Sequence, residues 1–137
     1  MPAVPGRIGA LASLPPELMD RLRFHIDWYK ANRASIVRSS ARLLTPPLPV
    51  PNDSGWVGIQ TDDPVSGIHR LFIFRLDDAG GTHTFIMVGL DSGKTYQITK
   101  QDGADFGRTS GRGLMDAGIT VSLSIPMSAE ILSVTAL

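Results

Sequence analysis

Four closely spaced prolines, Pro46, Pro47, Pro49 and Pro51, divide this chain into two parts that cannot belong to one regular element. Proline lacks a backbone N–H and fixes φ, so this density excludes a helix and any central strand. The segment is predicted to be a rigid, extended connection. The residues before it and after it therefore need separate interpretations.

An amphipathic helix is predicted before the prolines. Pro15 and Pro16 suit its first turn, where backbone N–H groups have no helical partner. Apolar side chains then recur at spacings of three and four, the period of a helix with one apolar face, up to about residue 37. These side chains are Leu18, Leu22, Ile26 and Tyr29. Such a helix needs another surface to pack against.

Short strand-like runs separated by turn signals follow the prolines. They are residues 56–61, 68–76, 82–90, 94–99, 119–125 and 128–135. In the second run, Phe72 and Phe74 alternate with Leu71 and Ile73, which predicts a central strand covered on both faces. Residues 101–113 are polar and are interpreted as a connection.

The spacing of these runs predicts the fold class. Six or seven short strands about ten residues apart favour an antiparallel sandwich or barrel. The fold class predicted for the whole chain is mainly β, an antiparallel two-sheet β-sandwich of about seven to eight strands preceded by one long N-terminal α-helix. The predicted organisation is residues 1–38 for the N-terminal loop and helix, and residues 39–137 for the β-sandwich.

Composition narrows the classes of partner. Thirteen Lys and Arg balance 13 Asp and Glu among 137 residues, which gives no electrostatic basis for a nucleic-acid or anionic-membrane partner. No cysteine is present, which excludes disulfides, thiolate catalysis and Cys-ligated zinc. No stretch reaches the roughly 20 apolar residues of a membrane helix. No signal peptide is evident, so a cytoplasmic location is favoured.

The sequence Gly93-Lys94-Thr95 tests nucleotide binding. A phosphate-binding loop needs a further glycine five residues before the Gly-Lys pair, but Val88 stands there. The residues after Thr95 have strand character. The motif is therefore interpreted as a hairpin turn.

A second glycine cluster, formed by Gly107, Gly111 and Gly113, contains Arg108 and Arg112. An exposed loop of this composition suits an anion or a sugar. The alternative is a connection whose glycines permit positive φ angles, and this alternative is favoured.

Metal and catalytic chemistry find little support. His69 and His83 lie on runs that could pair as neighbouring strands, and a zinc site would need a third ligand such as Asp62 or Asp77. No metal or cofactor site is predicted. Most of the aspartates stand in turns, where turn geometry explains them, so no catalytic residue is predicted either. Four aromatics could stack on a sugar, although such residues more often anchor cores. They are Trp28, Tyr29, Trp56 and Tyr96, of which Trp56 is the preferred candidate.

Seven stretches, taken in order, carry a resemblance to a known family. They are GRIG (6–9), ASLPPEL (12–18), LRFHIDWYKANRASI (22–36), RLFIFR (70–75), VGLDSGKTY (88–96), SGRGLMDAGITVSL (110–123) and SAEIL (128–132). Their order resembles the C-terminal end of clan-D α-galactosidases of glycoside hydrolase family 36, the melibiase type. In that family a (β/α)8 catalytic barrel precedes an antiparallel β-sandwich.

The resemblance implies a non-catalytic role. The helix at residues 22–36 looks like the last barrel helix, while the family's two catalytic aspartates come from barrel strands that this chain does not contain. The function expected is a C-terminal accessory, structural domain of an α-galactosidase-like hydrolase. Its expected partner is the barrel in cis or another copy of the chain. The alternatives are a stand-alone carbohydrate-binding β-sandwich module, for which Trp56 would supply the platform, and an independent small hydrolase.

Overall fold

The structure is a computed structural model that describes residues 15–45, 55–76 and 80–137. The four prolines at 46–51, the GRIG stretch and Asp77 lie outside the described residues, so the predictions made for them stay predictions. The chain divides into two compact units, Met1–Ala34 and Ser35–Leu137.

The long helix α1 spans Pro16–Arg38, close to the predicted bounds. It begins at a proline. Glu17 in the first turn and Arg38 in the last turn each interact favourably with the helix dipole, because each charge is opposite in sign to the dipole at its end. No residue of α1 is buried. The predicted apolar stripe is exposed: Leu18, Leu22, Ile26 and Tyr29.

Within the described residues, eight strands form two antiparallel sheets, which confirms the predicted fold class. The larger sheet has six strands in the order β1-β2-β3-β8-β5-β6, and the smaller pairs β4 with β7. The strands are β1 Ser40–Leu43, β2 Trp56–Asp62, β3 His69–Arg75, β4 Thr82–Phe85, β5 Thr95–Lys100, β6 Asp105–Ser110, β7 Ile119–Ser122 and β8 Ser128–Ala136. A short helix α2, Gly111–Asp116, precedes β7.

The core lies between the two sheets. On β3, Leu71 and Ile73 point into it and are fully buried, with Leu132 of β8 beside Leu71 in register. The small sheet contributes Phe85, Ile119 and Val121, and α2 contributes Leu114. The central position predicted for β3 is confirmed. Its opposite face is less covered than expected, because Phe74 is 39% exposed.

The two sheets approach each other closely at Gly58. A Cβ atom at this position would lie 2.5 Å from two carbons of the Phe85 ring, which is itself buried. Cβ atoms do not approach ring carbons so closely in packed cores. The missing side chain therefore provides the space in which Phe85 bridges the sheets.

Three local predictions were wrong. The polar stretch 101–113 contains strand β6 and the start of α2 in place of a plain connection, and the run 82–90 forms a strand only at Thr82–Phe85. The turn before β5 also does not close a hairpin with β4, because β5 pairs with β6 and β8 while β4 pairs with β7. Pairing across sheets is decided by nonlocal contacts that alternation along the sequence does not contain.

The contact at Gly58 predicts the effect of one substitution. Gly58→Ala should lower the free energy of unfolding by about 1–3 kcal/mol, because the Phe85 ring must move within a packed core. Urea unfolding followed by tryptophan fluorescence measures it. Gly81→Ala is the matched control, since its Cβ would meet only ordinary contacts, the nearest at 3.6 Å. Equal stability of the two variants would contradict the packing argument.

Candidate functional site

The most elaborate polar arrangement in the second unit surrounds Asp63, directly after β2. Its carboxylate is fully buried and accepts hydrogen bonds from Arg38 Nε at 2.7 Å and Arg38 Nη2 at 2.8 Å. The hydroxyls of Ser35 and Ser66 and the backbone N–H of Val65 also donate to it. We call this arrangement the Asp63 anchor, because it fixes the last turn of α1 to the loop between β2 and β3.

The charge on Asp63 is stabilised by its donors. The paired guanidinium of Arg38, and then the bonds from Ser35, Ser66 and Val65, hold the pKa of Asp63 well below its usual range, against the opposing effect of burial. The same bond raises the pKa of Arg38. Such a fully satisfied carboxylate has no lone pair directed at a ligand, so its role is structural.

A second cation, Arg70 of β3, extends the anchor. Its guanidinium Nη1 donates to Ser35 Oγ at 2.7 Å, and its side chain is buried on the same sheet face as Thr61. Burial lowers the pKa of Arg70, while the charge of Asp63 opposes that shift. The Asp63 anchor was not predicted from the sequence, because no local pattern connects its residues. Ser35 and Asp63 are 28 residues apart.

Asp62, the neighbour of Asp63, points to the opposite face of the sheet. Its Oδ1 lies 2.6 Å from His69 Nδ1 and accepts a second bond from Gln60 Nε2 at 2.8 Å. Arg42 of β1 approaches its Oδ2 at 3.5 Å. Asp62, the last residue of β2, stands directly opposite His69, the first residue of β3, so this contact lies next to the loop that connects the two strands.

The contact between Asp62 and His69 can be compared with the carboxylate–imidazole pair of a hydrolytic triad. An ionised carboxylate is an acceptor only, so His69 donates from Nδ1. Among the residues that the structure describes, no hydroxyl is hydrogen-bonded to His69; the Tyr96 hydroxyl accepts from the Asp91 N–H instead. A hydrolytic triad needs a nucleophile on the other ring nitrogen.

The histidines do not come together as metal ligands. His83 stacks on Trp56 with ring centroids 5.7 Å apart, whereas His69 bonds to Asp62. Within residues 15–45, 55–76 and 80–137, no three His, Cys, Asp or Glu side chains are grouped so that they could hold a metal ion. Asp77, the other ligand considered, lies outside that part of the chain.

Trp56, the candidate for sugar stacking, lies in the core. It is 6% exposed, His83 stacks on it, and the Phe85 ring meets it edge to face at 6.2 Å. A sugar needs a free ring face on which its C–H groups can lie. In this arrangement Trp56 contributes to packing between the sheets.

The glycine cluster is divided between two elements. Gly107 lies in β6 with a φ of 140°, while Gly111 and Gly113 lie in α2. Arg108 Nε donates to Gln97 Oε1 at 2.6 Å on the neighbouring strand. A Cβ at Gly111 would lie 2.0 Å from the Asp91 carbonyl oxygen, so glycine is needed there for close packing of the backbone.

The Gly93-Lys94-Thr95 sequence leads into a strand. Asp91 Oδ1 accepts from the Gly93 N–H at 2.9 Å, and the Asp91 carbonyl accepts from the Lys94 N–H at 3.1 Å. Thr95 then begins β5. A phosphate-binding loop instead opens a helix, whose N-terminal N–H groups face the anion.

Neither helix in the described ranges is both long enough and apolar enough to cross a bilayer.

Comparison with known proteins identifies the fold. No protein-family model and no curated protein matches the chain. Solved structures match it well. They include the galactosidase domain of the α-galactosidase–sucrose kinase AgaSK (TM-score 0.73, 22% identity). They also include the GH36 α-galactosidase AgaA from Geobacillus stearothermophilus (TM-score 0.73, 19% identity) and the α-galactosidase from Lactobacillus brevis (TM-score 0.73, 18% identity).

These matches cover 92–93% of this chain but only 17–18% of the three solved chains. Because α1 has 23 residues and less than a tenth of the chain lies outside the match, the match includes part of the helix as well as the strands. The resemblance predicted from the sequence is therefore confirmed as a likeness of fold. At this identity the likeness extends to the fold alone.

The Asp63 anchor predicts an acid-sensitive stability. Because the pKa of Asp63 is lowered by folding, its contribution is complete above the unfolded value of about 3.9 and is lost as the pH falls below it. Asp63→Asn should therefore lower the urea midpoint at pH 7 and flatten its dependence on pH below about 4. Urea titrations from pH 7 to pH 2.5 measure both effects.

The control for the acid titration is Asp102→Asn. Asp102 is an exposed turn residue that accepts from the Ala104 N–H, a bond that asparagine also accepts. This variant should follow the parent chain throughout. If Asp63→Asn followed the parent as well, the anchor would contribute nothing to stability.

Proposed function

We propose that this chain is a non-catalytic accessory domain of an α-galactosidase-like glycoside hydrolase. Its role is structural: it covers and stabilises a (β/α)8 catalytic barrel to which it is joined. The observation that carries the proposal is the likeness over 92% of this chain to a segment that makes up 17% of the α-galactosidase chains. A module of this fold is thus a minor part of a longer polypeptide in those proteins.

The use of the carboxylates supports the non-catalytic part of the proposal. Glycoside hydrolysis usually requires two carboxyl groups that flank an accessible sugar bond. In the described residues, the adjacent Asp63 and Asp62 are engaged, the first with Arg38 and the second with His69 and Gln60. Their geometry suits stability better than proton transfer to a substrate.

The exposed stripe of α1 supports the structural part. Leu18, Leu22, Ile26 and Tyr29 recur on one side of the helix, and all four are exposed. A helix of this pattern in a soluble protein normally buries its apolar side against another element. If α1 is the last helix of a barrel, as the resemblance implies, the neighbouring barrel helices and strands supply that surface. A second copy of the chain is the competing source.

The gene and the longer protein test the proposed function. The reading frame upstream of Met1 should encode a (β/α)8 catalytic domain. Deleting residues 39–137 from that longer protein should lower its melting temperature and soluble yield, because a surface covered by the module becomes exposed. The 137-residue chain alone should neither hydrolyse a nitrophenyl α-galactoside nor change its tryptophan fluorescence with galactose, melibiose or raffinose.

Two results would contradict this proposal. One is a reading frame that encodes no catalytic domain next to this chain. The other is saturable binding of one of the sugars by the isolated chain, which would favour a carbohydrate-binding module. Binding by a Trp56→Phe variant serves as the control for the origin of any fluorescence change.

A further inference from the structure

The outward surfaces of the two sheets differ in chemistry. On the β4–β7 sheet, every outward side chain carries a hydroxyl group and is exposed. Thr82 pairs with Ser122 at 3.1 Å between hydroxyl oxygens, and Thr84 with Thr120 at 2.8 Å. This is the composition expected of a sheet surface in contact with water.

The outward surface of the six-stranded sheet is polar on one half only. The β5–β6 half presents hydrophilic side chains, including Gln97 opposite Arg108 and Thr99 opposite Asp105. The other half, on β1, β2, β3 and the beginning of β8, presents apolar ones. We call this half the outer apolar face, and its residues are Leu43, Val57, Ile59, Phe72, Phe74, Ala129 and Ile131.

Strand register makes the outer apolar face continuous. Phe74 of β3 stands directly between Val57 of β2 and Ala129 of β8. The next row along the strands has four apolar side chains in register, which are Leu43, Ile59, Phe72 and Ile131. Side chains in one such row are about 5 Å apart across the strands, and rows are about 7 Å apart along them. The result is one patch and not a set of scattered apolar residues.

The outer apolar face is accessible in this chain. Phe74 is 39% exposed and Leu43 48% exposed, and Ala129 is exposed beside them. Val57, Ile59 and Ile131 are half-buried. Strands with one solvated face alternate apolar and polar residues, but β3 is apolar on both faces between Leu71 and Phe74. That pattern is typical of strands covered on both sides.

The Asp63 anchor lies beside the outer apolar face. Thr61 and Arg70 form the next row on the same side of the sheet, and both are buried. Arg70 reaches Ser35 in the last turns of α1, and Ser35 and Arg38 bond to Asp63. The polypeptide therefore enters the sandwich on this side. The point of entry is therefore next to the outer apolar face, at the row formed by Thr61 and Arg70.

We propose that the outer apolar face is the docking surface for the catalytic domain that precedes α1 in the longer protein. This inference rests on the proposed function and assigns its contact to one of two sheet surfaces. Three observations support this occupant. The surface is apolar over two rows of strand residues, and the polypeptide enters the sandwich at the edge of that surface. In the solved structures that share the fold, more than four fifths of the polypeptide lies outside this module. The complementary surface is apolar, with a polar rim.

Cysteine labelling tests the docking surface, since the chain itself contains no cysteine. Ala129→Cys places a thiol on the outer apolar face, and Thr84→Cys places one on the hydroxyl surface. Both positions are exposed in the isolated chain, so both should react rapidly with a maleimide. In the longer protein, with its other cysteines replaced, labelling at 129 should slow roughly ten-fold or more, while labelling at 84 should not change.

A pair of matched substitutions gives a second readout. Phe74→Ser should lower the melting temperature of the longer protein more than that of the isolated chain, because it removes a contact made only when the catalytic domain is present. Ile86→Ser is the control: Ile86 is 43% exposed, similar to Phe74, but lies outside the outer apolar face. It should affect both proteins equally.

The outcomes separate the two proposals. If the longer protein contains a catalytic domain but labelling at 129 is as fast as in the isolated chain, the docking surface is wrong and the proposed function stands. If the reading frame encodes no catalytic domain, both fail. If the isolated chain dimerises and Phe74→Ser makes it monomeric, the occupant is a second copy and the docking proposal is overturned.

Discussion

An ion pair between the buried carboxylate of Asp63 and the partly exposed Arg38 holds the helix end on the sheet. The carboxylate receives donors from the helix, from the loop that follows β2 and from the backbone. Burying the charge of Asp63 without these donors would be unfavourable, so Asp63 depends on Arg38 remaining in place. This dependence connects the last turn of α1 to the β2–β3 loop, and it sets the point at which the chain enters the sandwich.

The alternation of a β-strand explains why two adjacent aspartates serve opposite surfaces. Asp62 ends β2 and points to the core side, where it meets His69, whereas Asp63 lies beside the outward-facing Arg70 and Ser35. A carboxylate pair in sequence is thus no carboxylate pair in space. Asp91 and Asp102 likewise accept backbone hydrogen bonds in turns.

The two outward sheet surfaces support one account of the molecule. One is a lattice of hydroxyl groups suited to water, and the other carries Phe74 and its apolar neighbours on the side where the helix enters. The solved structures that share this fold contain it as 17–18% of a longer chain. The proposed structural role and the proposed docking surface both rest on this difference between the two surfaces and on that likeness of fold.

The sequence by itself determined the classes and approximate positions of the main elements. Helical spacing placed α1 almost to the residue, alternation identified β3 and β7, and the order of motifs indicated the fold shared with α-galactosidases. These features are local, since each depends on a backbone period that is written in neighbouring residues. The sequence also indicated that Phe72 and Phe74 need cover on the second face of β3.

Only the tertiary structure decided the partners. It placed β5 beside β8 and not β4, revealed β6 and α2 in a polar stretch, put Trp56 in the core, and brought Asp63 to Arg38. Each of these results depends on contacts between residues distant along the chain. The side chains that form them are chosen by the packing of two sheets, and no pattern of neighbouring residues records that choice.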